Sequence, residues 1–450
     1  MKLHYCLILA ASAAAIGFAQ PASAQTLNET LEAAYRTNPV LAAERARVRQ
    51  VSEGVVQARS ARLPNVGASA GISETETWGG TGLGASGGGD VNYSVSASQT
   101  LYAGGGIDAS VDQALARIEA ARYGLINTEQ QVLIDAVAVH LDVLRDTAIL
   151  SIRRNNVEVL AEQLRAARDR FEVGEITRTD VAQAEARLSG AQAQLSAAQA
   201  TLAASRAGYE RVTGTVPMDV QQPEALPEVP ESFVIAADVA LENNPLLRSA
   251  LFNEQAAQAG IRIARSATRP DVGLTASASE SRESDFSGRA RGSVTVGARV
   301  SVPIFTGGLN DSRIRQAAAA ADESRMNVLN VRRLVAESVS NAWNNYLAAE
   351  AVIRSSREAV RANEIAFDGV QQEAFVGLRT TLDVLNAEQE LLNSRLELVR
   401  AERDYQVASY ALLQTMGRLT AEQVGLEPIV EESMDQGRNW WPNFPLTGGN

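Results

Sequence analysis

The fold is decided by one stretch, Arg170-Phe171-Glu172-Val173-Gly174-Glu175-Ile176-Thr177-Arg178-Thr179-Asp180-Val181. A long helical pattern runs into this stretch and another runs out of it. Gly174 interrupts the pattern, because glycine takes the left-handed conformation that ends helices without a steric penalty. Thr177 or Thr179 is placed to cap the next helix, with Asp180 in its first turn. The stretch therefore predicts a helical hairpin.

The same turn occurs a second time, as part of a repeat that covers most of the chain. Val376-Gly377-Leu378-Arg379-Thr380-Thr381-Leu382-Asp383-Val384 repeats it, with Gly377 203 residues after Gly174. Asn38-Pro39 returns as Asn244-Pro245, and Tyr102-Ala103-Gly104-Gly105 returns as Phe305-Thr306-Gly307-Gly308. Such self-similarity predicts two tandem units of one architecture. We place the first repeat at 25–216, a linker rich in Pro and Glu at 217–231, and the second repeat at 232–419.

The two ends of the chain differ from the repeats. Residues 1–24 have the pattern of a signal peptide, with an apolar run from Leu7 to Phe18 and Ala22-Ser23-Ala24 as a cleavage site. The alternative is an uncleaved anchor helix, although the apolar run is shorter than the roughly 20 residues that a span needs. The only cysteine, Cys6, lies in this segment. Residues 420–450 are expected to form an irregular, peripheral tail.

Each repeat opens with a helical pattern, Leu27 to Arg62 and then Ala237 to Arg265, which we expect to form one helix in each case. Two stretches that alternate between apolar and small polar residues follow in each repeat, and this alternation is typical of strands with two unlike faces. The apolar positions are Val66, Ala68, Ala70, Ile72, Val91, Tyr93, Val95 and Ala97 in the first repeat, and Val272, Leu274, Ala276, Ala278, Val294, Val296, Ala298, Val300 and Val302 in the second. A length of roughly 10 residues suits a membrane barrel, while a soluble hairpin with a half-buried face explains the same local pattern.

Long helices follow the strands. No proline occurs in the 70 residues from Gly104 to Val173, which as a helix would extend about 105 Å. Apolar residues recur there every seven positions, and this spacing indicates coiled-coil packing. They are Val111, Ile118, Leu125, Val132 and Val139, with counterparts Ile314, Ala321, Val328, Val335 and Ala342. Returning helices are predicted from Thr179 to Val212 and from Thr381 to Met416.

Two hairpins supply four strands per chain, which are too few to close a barrel. An open sheet edge in lipid leaves backbone groups without hydrogen-bond partners, and the smallest membrane barrels have about eight strands. The strands must therefore come from several chains. Three chains would supply 12 strands and six long hairpins able to form a tube continuous with the barrel. The residues alone do not decide among two, three and four chains.

At this point the chain resembles a known family, the TolC-like outer membrane efflux proteins. The resemblance covers about 25–420 and is carried by Leu63-Pro64 and by the motifs at 101–105, 171–181 and 376–380. It implies a mainly α fold with membrane β: a trimeric 12-stranded barrel, four strands per chain, on a long α-helical coiled-coil tunnel. Such a protein would be a passive exit duct in the outer membrane of a Gram-negative cell, for efflux or type I secretion, without catalysis or cofactor.

The resemblance also implies partners and a gate. A periplasmic adaptor and an inner-membrane RND or ABC transporter would meet the tip turns at Val173-Gly174 and Val376-Gly377. Asp383 would face the axis at the closed periplasmic end, so that three carboxylates raise one another's pKa and attract cations. A second acidic ring is expected one helical turn later, where this chain has Asn386. This departure predicts weaker block by polyvalent cations; the alternative role for Asp383 is a solvated or capping aspartate.

Arg379 matches the family arginine that bridges to the first repeat's tip. Thr179 and Asp180 stand at the matching acceptor positions, and an Arg–carboxylate bond between neighbouring tips would hold the tunnel shut. Ala374 occupies a position where an aromatic hydroxyl often assists, so the closing network is expected to be reduced. The alternative is an exposed arginine without a role in gating.

Other classes of function have weaker support. A soluble periplasmic coiled-coil adaptor or scaffold is the runner-up, but a β-rich module beside its hairpin is not evident. A secreted hydrolase rests on glycine motifs at 82–88, which lie between strands and open no helix. His140 sits inside a long helix with no partner evident, and no Cys or His cluster offers a metal site. The formal charge of −12 gives no case for nucleic acid binding.

Overall fold

The computed structural model describes residues 25–76, 87–223, 226–283 and 290–427. The predicted signal peptide, most of the glycine motifs at 82–88 and residues 428–450 lie outside the described residues. Both repeats have the same order: two short helices, two strands, one long helix and one returning helix. The first repeat has α1 (Leu27–Thr37), α2 (Pro39–Ser60), β1 (Asn65–Glu76), β2 (Gly87–Ala103), α3 (Gly106–Glu172) and α4 (Arg178–Thr213). The second has α5 (Phe233–Asn243), α6 (Pro245–Ser266), β3 (Asp271–Glu283), β4 (Ala290–Ser301), α7 (Leu309–Phe375) and α8 (Thr381–Thr415).

The prediction of one continuous opening helix in each repeat is wrong. Each is divided at an Asn-Pro pair, because a residue before proline is disfavoured in the helical conformation. Asn38 is extended, with φ −65° and ψ 121°, and its side chain accepts a hydrogen bond from Val40 N at 2.9 Å. Asn244 caps α6 in the same way. One asparagine therefore ends the first helix and starts the second.

The four strands form one antiparallel sheet in the order β1-β2-β3-β4. The two hairpins of the repeats are joined by pairing of β2 with β3, where Val95 lies opposite Ala278. The strands contain 12, 17, 13 and 12 residues. A tilted strand needs about 9 to 11 residues to span a bilayer, so each strand is long enough. Among the strands that the structure describes, β1 and β4 each have a neighbour on one side only.

The register gives the sheet one apolar and one polar face. Val66, Ala97, Ala276 and Val296 lie side by side across the four strands. On the other face, Ser69, Ser94, Ser279 and Ser293 form a row of hydroxyl groups. The Oγ atoms of Ser69 and Ser94 are 2.7 Å apart, and those of Ser279 and Ser293 are 2.9 Å apart. The predicted alternation is thereby confirmed and extends across all four strands.

The long helices follow the strands and pack side by side in one layer. α3 and α7 each contain 67 residues, about 100 Å of helix. Near the sheet, α3 packs between α2 and α6, and towards the hairpin tips it packs against α4 and α8. α7 packs against α6 and α8, so α7 forms one flank of the layer, and α2 and α4 form the other. None of the described helices combines the length and apolarity that a transmembrane helix needs.

A second layer covers the middle of α3. Leu31 of α1 and Leu133 and Val137 of α3 belong to one buried cluster. Leu419, Ala421 and Leu426 belong to the same cluster, so the segment after α8 packs into the core as far as it is described. The expectation of a peripheral tail is therefore wrong for 420–427. This segment is irregular, yet Ala421 and Leu426 are buried and Val424 is partly buried.

His140 lies at the centre of this region and does have partners, contrary to the sequence expectation. Its Nδ1 is 2.8 Å from Thr30 Oγ1, which is itself 2.9 Å from the Tyr209 hydroxyl. Its Nε2 is 2.8 Å from the carbonyl oxygen of Gln221 in the linker. A carbonyl can only accept, so Nε2 donates and, in the neutral ring, Nδ1 accepts. The hydrogen bonds of the His140 ring thus connect α3 to α1 and to the linker, and through Thr30 to α4.

The burial of His140 predicts a pH dependence of stability. The side chain is fully buried, and burial lowers the pKa of His140. Below the ordinary pKa of about 6.5 the unfolded chain binds a proton that the folded chain resists, so stability falls as the pH drops through that value. We expect the unfolding temperature of the wild type to fall more steeply between about pH 8 and pH 5 than that of His140→Gln. Equal slopes for the two proteins would contradict this role of His140.

Candidate functional site at the hairpin tips

The two hairpin tips have the same backbone. Gly174 and Gly377 are left-handed, with φ +79° and +82°. In the first tip Glu175 N donates to Arg170 O at 2.9 Å, and in the second Leu378 N donates to Glu373 O at 2.9 Å. This is the hydrogen-bond pattern of a Schellman helix end. It explains why both turns need glycine, and it places Val173 and Val376 in solvent at 72% and 67% exposure.

Each returning helix begins with a capping box. Thr177 and Asp180 exchange hydrogen bonds at the start of α4, and Thr380 and Asp383 do so at the start of α8. Of the two capping candidates, Thr177 is the cap, while Thr179 lies inside the first turn of α4. Asp383 accepts from Thr380 N at 2.9 Å and from the Thr380 hydroxyl at 2.8 Å. Asp383 is thus a capping residue, in the same structural position as Asp180.

These hydrogen bonds keep both carboxylates charged. The pKa of Asp383 is lowered first by the backbone N–H of Thr380, then by its hydroxyl, and further by the charge of Arg379. The pKa of Asp180 is lowered by the backbone N–H and hydroxyl of Thr177. Each tip therefore presents a negative charge at the start of its returning helix, where the helix dipole also favours one.

Arg379 distinguishes the second tip from the first. Its Nε donates to Glu373 Oε2 at 2.7 Å, which spans the turn within one hairpin, and this bond raises the pKa of Arg379. Within the chain Arg379 makes no hydrogen bond to Thr179 or Asp180 among the described residues. The equivalent residue of the first tip is Ile176, which packs against a buried cluster containing Leu164 and Ala184. At this position, therefore, the second tip carries a guanidinium and the first tip an apolar side chain.

Asn386 contacts a residue that the sequence did not single out. Arg187 of α4 donates through Nη2 to Asn386 Oδ1 of α8 at 3.1 Å. Arg187 makes no ion pair with any carboxylate in the part of the chain described. The only sequence signal for Arg187 is its position seven residues after Asp180. The contact itself could not be foreseen, because Arg187 and Asn386 are 199 residues apart in the sequence and lie on different helices. Where a second acidic ring was expected, the chain has an amide bound to a cation.

A groove of about 500 Å³ lies between the two tips. It is lined by α3, α7 and α8, and its walls include Arg170, Phe375 and Arg379. Phe375 is 84% exposed at the end of α7. Within the described ranges no group of three or more His, Cys, Asp or Glu residues could hold a metal ion.

Three features together define the class of protein as a membrane exit duct. They are a helical layer about 100 Å long, an amphipathic sheet whose two edges are unpaired among the described strands, and paired helical tips. The family model "Outer membrane efflux protein" matches residues 30–215 and 236–418, one match for each repeat. The chain belongs to the outer membrane efflux protein family. It is an outer membrane channel protein of the TolC-like type, with its helical tunnel in the periplasm.

Individual relatives agree with this assignment. The outer membrane efflux protein BepC of Brucella suis is 37% identical over 413 residues, covering 91% of this chain and 89% of that protein. The outer membrane protein TolC of Escherichia coli is 25% identical over 430 residues, covering 91% and 85%. The Campylobacter jejuni CmeC outer membrane channel has the same fold, with a TM-score of 0.76 at 16% identity over 92% of this chain and 89% of that chain.

Proposed function

We propose that three copies of this chain assemble into one channel, a 12-stranded barrel in the outer membrane continuous with a helical tube in the periplasm. One observation carries this proposal. The first and second repeats contact each other once inside the chain, whereas the equivalent contact is not made at the two outer flanks of the described structure. Closing a ring of copies would make the same contact again between chains.

The contact inside the chain is close and specific. Arg269 Nη1 donates to Gly104 O at 3.0 Å. A Cβ atom on Gly104 would lie 2.6 Å from the carbonyl oxygen of Ser266 and 2.8 Å from Arg269 Cβ. Only glycine fits there, at the junction of β2 and α3 with the end of α6. Beside this junction, β2 pairs with β3.

The corresponding junction at the flank has no partner. Gly307 has the same conformation as Gly104, with φ +61° at both, but nothing lies within 4 Å of a Cβ placed on it. The repeat equivalents of Ser266 and Arg269 are Ser60 and Leu63, which lie on the opposite flank beside β1. A second copy placed there would bring Ser60 to Gly307 and pair β4 with β1.

The sheet itself requires such an assembly. The described residues leave its apolar face uncovered, with Ile72 85%, Val294 79% and Val296 72% exposed. Lipid would cover that face, while the serine row would face a polar lumen. Lipid cannot satisfy the free N–H and C=O groups of β1 and β4. Copies of the chain can, and the family resemblance makes their number three.

The tips form the closed periplasmic end in this proposal. Asp383 and Asn386 lie around the axis, and Arg379 exchanges Glu373 for Thr179 or Asp180 of a neighbouring tip when the tunnel shuts. The exposed turns at Val173-Gly174 and Val376-Gly377 meet a periplasmic adaptor. An inner-membrane RND or ABC transporter then supplies the cargo, for efflux or type I secretion. Exposed bonds between charged side chains are weak, which suits a gate that must open.

The assembly predicts an effect of Gly307→Ala on the oligomer. The added methyl group would meet Ser60 of the next copy, so the oligomer should dissociate at a lower temperature than the wild type in a gel heating series. Gly425→Ala is the matched control, since Gly425 also has a positive φ of +76° and open space around it. Both variants carry the backbone strain, of order 1 kcal/mol. If Gly307→Ala dissociates no earlier than Gly425→Ala, the flank is not covered as proposed.

The gate predicts opposite behaviour of two variants that both break the bond between Arg379 and Glu373. Arg379→Ala removes the closing cation, so single-channel conductance in planar bilayers should rise above that of the wild type. Glu373→Ala frees Arg379 for Asp180 of a neighbouring tip, so its conductance should stay at or below the wild-type value. A rise in both variants would show that the bond within the hairpin matters rather than the bond between tips.

The carboxylate ring predicts a change in block by divalent cations. Asp383→Asn keeps an oxygen that can accept from Thr380 and removes three charges from the proposed trimer. The blocking affinity should fall roughly tenfold, about 1.4 kcal/mol. Asp180→Asn changes the equivalent cap of the first tip and is the control for helix fraying. Unchanged block in Asp383→Asn, or equal loss in both variants, would contradict the assignment of Asp383 to the ring.

A further inference from the structure

The segments that follow the two returning helices are structural equivalents in the two repeats. The post-α4 segment (215–219) begins after Gly214, and the post-α8 segment (418–422) begins after Gly417. Both glycines are left-handed, with φ +70° and +76°, and Gly417 stands 203 residues after Gly214. Residues of the two segments that have this spacing therefore occupy equivalent positions.

The equivalent side chains have opposite environments. Leu419 and Ala421 of the post-α8 segment are buried, at 0% and 2% exposure, in the cluster that contains Leu27 of α1. Their equivalents in the post-α4 segment, Val216 and Met218, are 60% and 72% exposed. The post-α4 segment therefore carries apolar side chains at the same two positions, and no described residue covers them.

The chain itself holds the post-α4 segment in this exposed position. Gln25 N donates to Asp219 O at 2.6 Å, and Met218 N donates to Gln25 Oε1 at 3.3 Å. Pro217 is buried, while Val216 and Met218 on either side of it are exposed. The backbone of the segment is thus fixed, and its two exposed apolar side chains are available to another surface.

The surface equivalent to the one that receives the post-α8 segment is exposed as well. Phe233 is the first residue of α5, as Leu27 is of α1, and Phe233 is 40% exposed whereas Leu27 is buried. Ala336 of α7 is exposed, while its equivalent on α3, Leu133, is fully buried. At the outer flank, α5 and α7 therefore lack the cover that α1 and α3 have.

One hydrogen bond inside the chain identifies the positions that would meet between chains. Ala421 N donates to Glu129 Oε1 of α3 at 2.7 Å, and the repeat equivalents of these residues are Met218 and Arg332. Arginine cannot accept this hydrogen bond. Met218 N does not require it, because Gln25 already accepts from it. An arginine in place of Glu129 is therefore compatible with an equivalent contact.

The charges of the two surfaces are complementary. Asp219 follows Met218 directly, and its side chain is exposed. Asp219 forms no ion pair with any residue that the structure describes, and the same holds for the exposed residues Arg332 and Arg333 of α7. An unpaired carboxylate on one flank would thus meet unpaired guanidinium groups on the other, and such complementarity favours the correct pairing of surfaces.

We propose that the post-α4 segment of one chain docks on α5 and α7 of the next copy. Val216 and Met218 cover the apolar surface at Phe233, and Asp219 pairs with Arg332. The inference rests on the proposed function, because it requires a ring of copies, and it adds a second contact to the ring. Arg332 stands about 35 Å along α7 from the junction beside the sheet, so the two contacts hold neighbouring chains at two levels.

Thiol crosslinking of the full-length protein in detergent tests this contact. The only cysteine of the sequence, Cys6, lies in the predicted signal peptide. In Met218→Cys/Arg332→Cys, a short bis-maleimide should join neighbouring chains and give bands of two and three chains on denaturing gels. Glu129→Cys/Ala421→Cys is the matched control, because the equivalent contact lies inside one chain and should leave a single-chain band.

The mass of the particle separates this contact from the proposed channel. Multichain bands in the double variant, and in neither single variant nor the control, support the contact. Particles of three chains that give only single-chain bands would overturn the contact and leave the channel intact. Multichain bands in the control as well would also overturn it, because they would show unspecific joining. Particles of one chain would contradict the proposed function and the contact together.

Charge reversal provides an independent measurement. Asp219→Arg places like charges together, so the oligomer should dissociate at a lower temperature than the wild type in a gel heating series. Adding Arg332→Asp restores opposite charges and should raise the dissociation temperature again. Glu422→Arg is the matched control, since Glu422 is the exposed repeat equivalent of Asp219. No recovery in the double variant, or an equal fall in the control, would overturn the pairing of Asp219 with Arg332.

Discussion

Backbone hydrogen bonding at the edges of the sheet is the constraint on which the rest of the structure depends. Each chain provides four paired strands whose apolar and polar residues are sorted onto opposite faces. The outer edges of β1 and β4 pair with no other strand in the described part of the chain. In water such edges are tolerated, but in lipid they are not. The long helices add a second demand, because α7 exposes apolar side chains such as Met326 and Ile365. Both demands are met when copies of the chain share their flanks.

Because the chain contains two copies of one unit, a single kind of contact can serve both inside a chain and between chains. The two repeats use one turn, one capping box and one junction between strand and helix, so a contact that works inside the chain is available again between chains. The repeats differ where function requires it. Ile176 packs the first tip against its own hairpin, while the equivalent Arg379 pairs with Glu373 across its own turn. Identical backbones thus carry an apolar contact at one tip and an exposed ion pair at the other, and the proposed gate uses the ion pair.

Much of the fold and of the two tip turns was predictable from the sequence. Alternation identified the strands, because apolar and small polar residues fall on opposite faces, and the glycines at 174 and 377 identified the turns. Other features depend on contacts between distant segments and left no local signal. His140 meets Thr30 and the linker only after folding, and Arg187 meets Asn386 across two helices. The Asn38-Pro39 break was visible as a motif, but the helical pattern on both sides concealed the separation of the helices.

The mass of the protein in detergent tests the central claim most directly. Light scattering with the detergent contribution subtracted gives the number of chains in the particle. The proposed trimer predicts three chains, with no detectable single chain, and a particle that needs detergent to stay in solution. A single chain that remains soluble without detergent would contradict the account, because its sheet edges and apolar face would then need no partner.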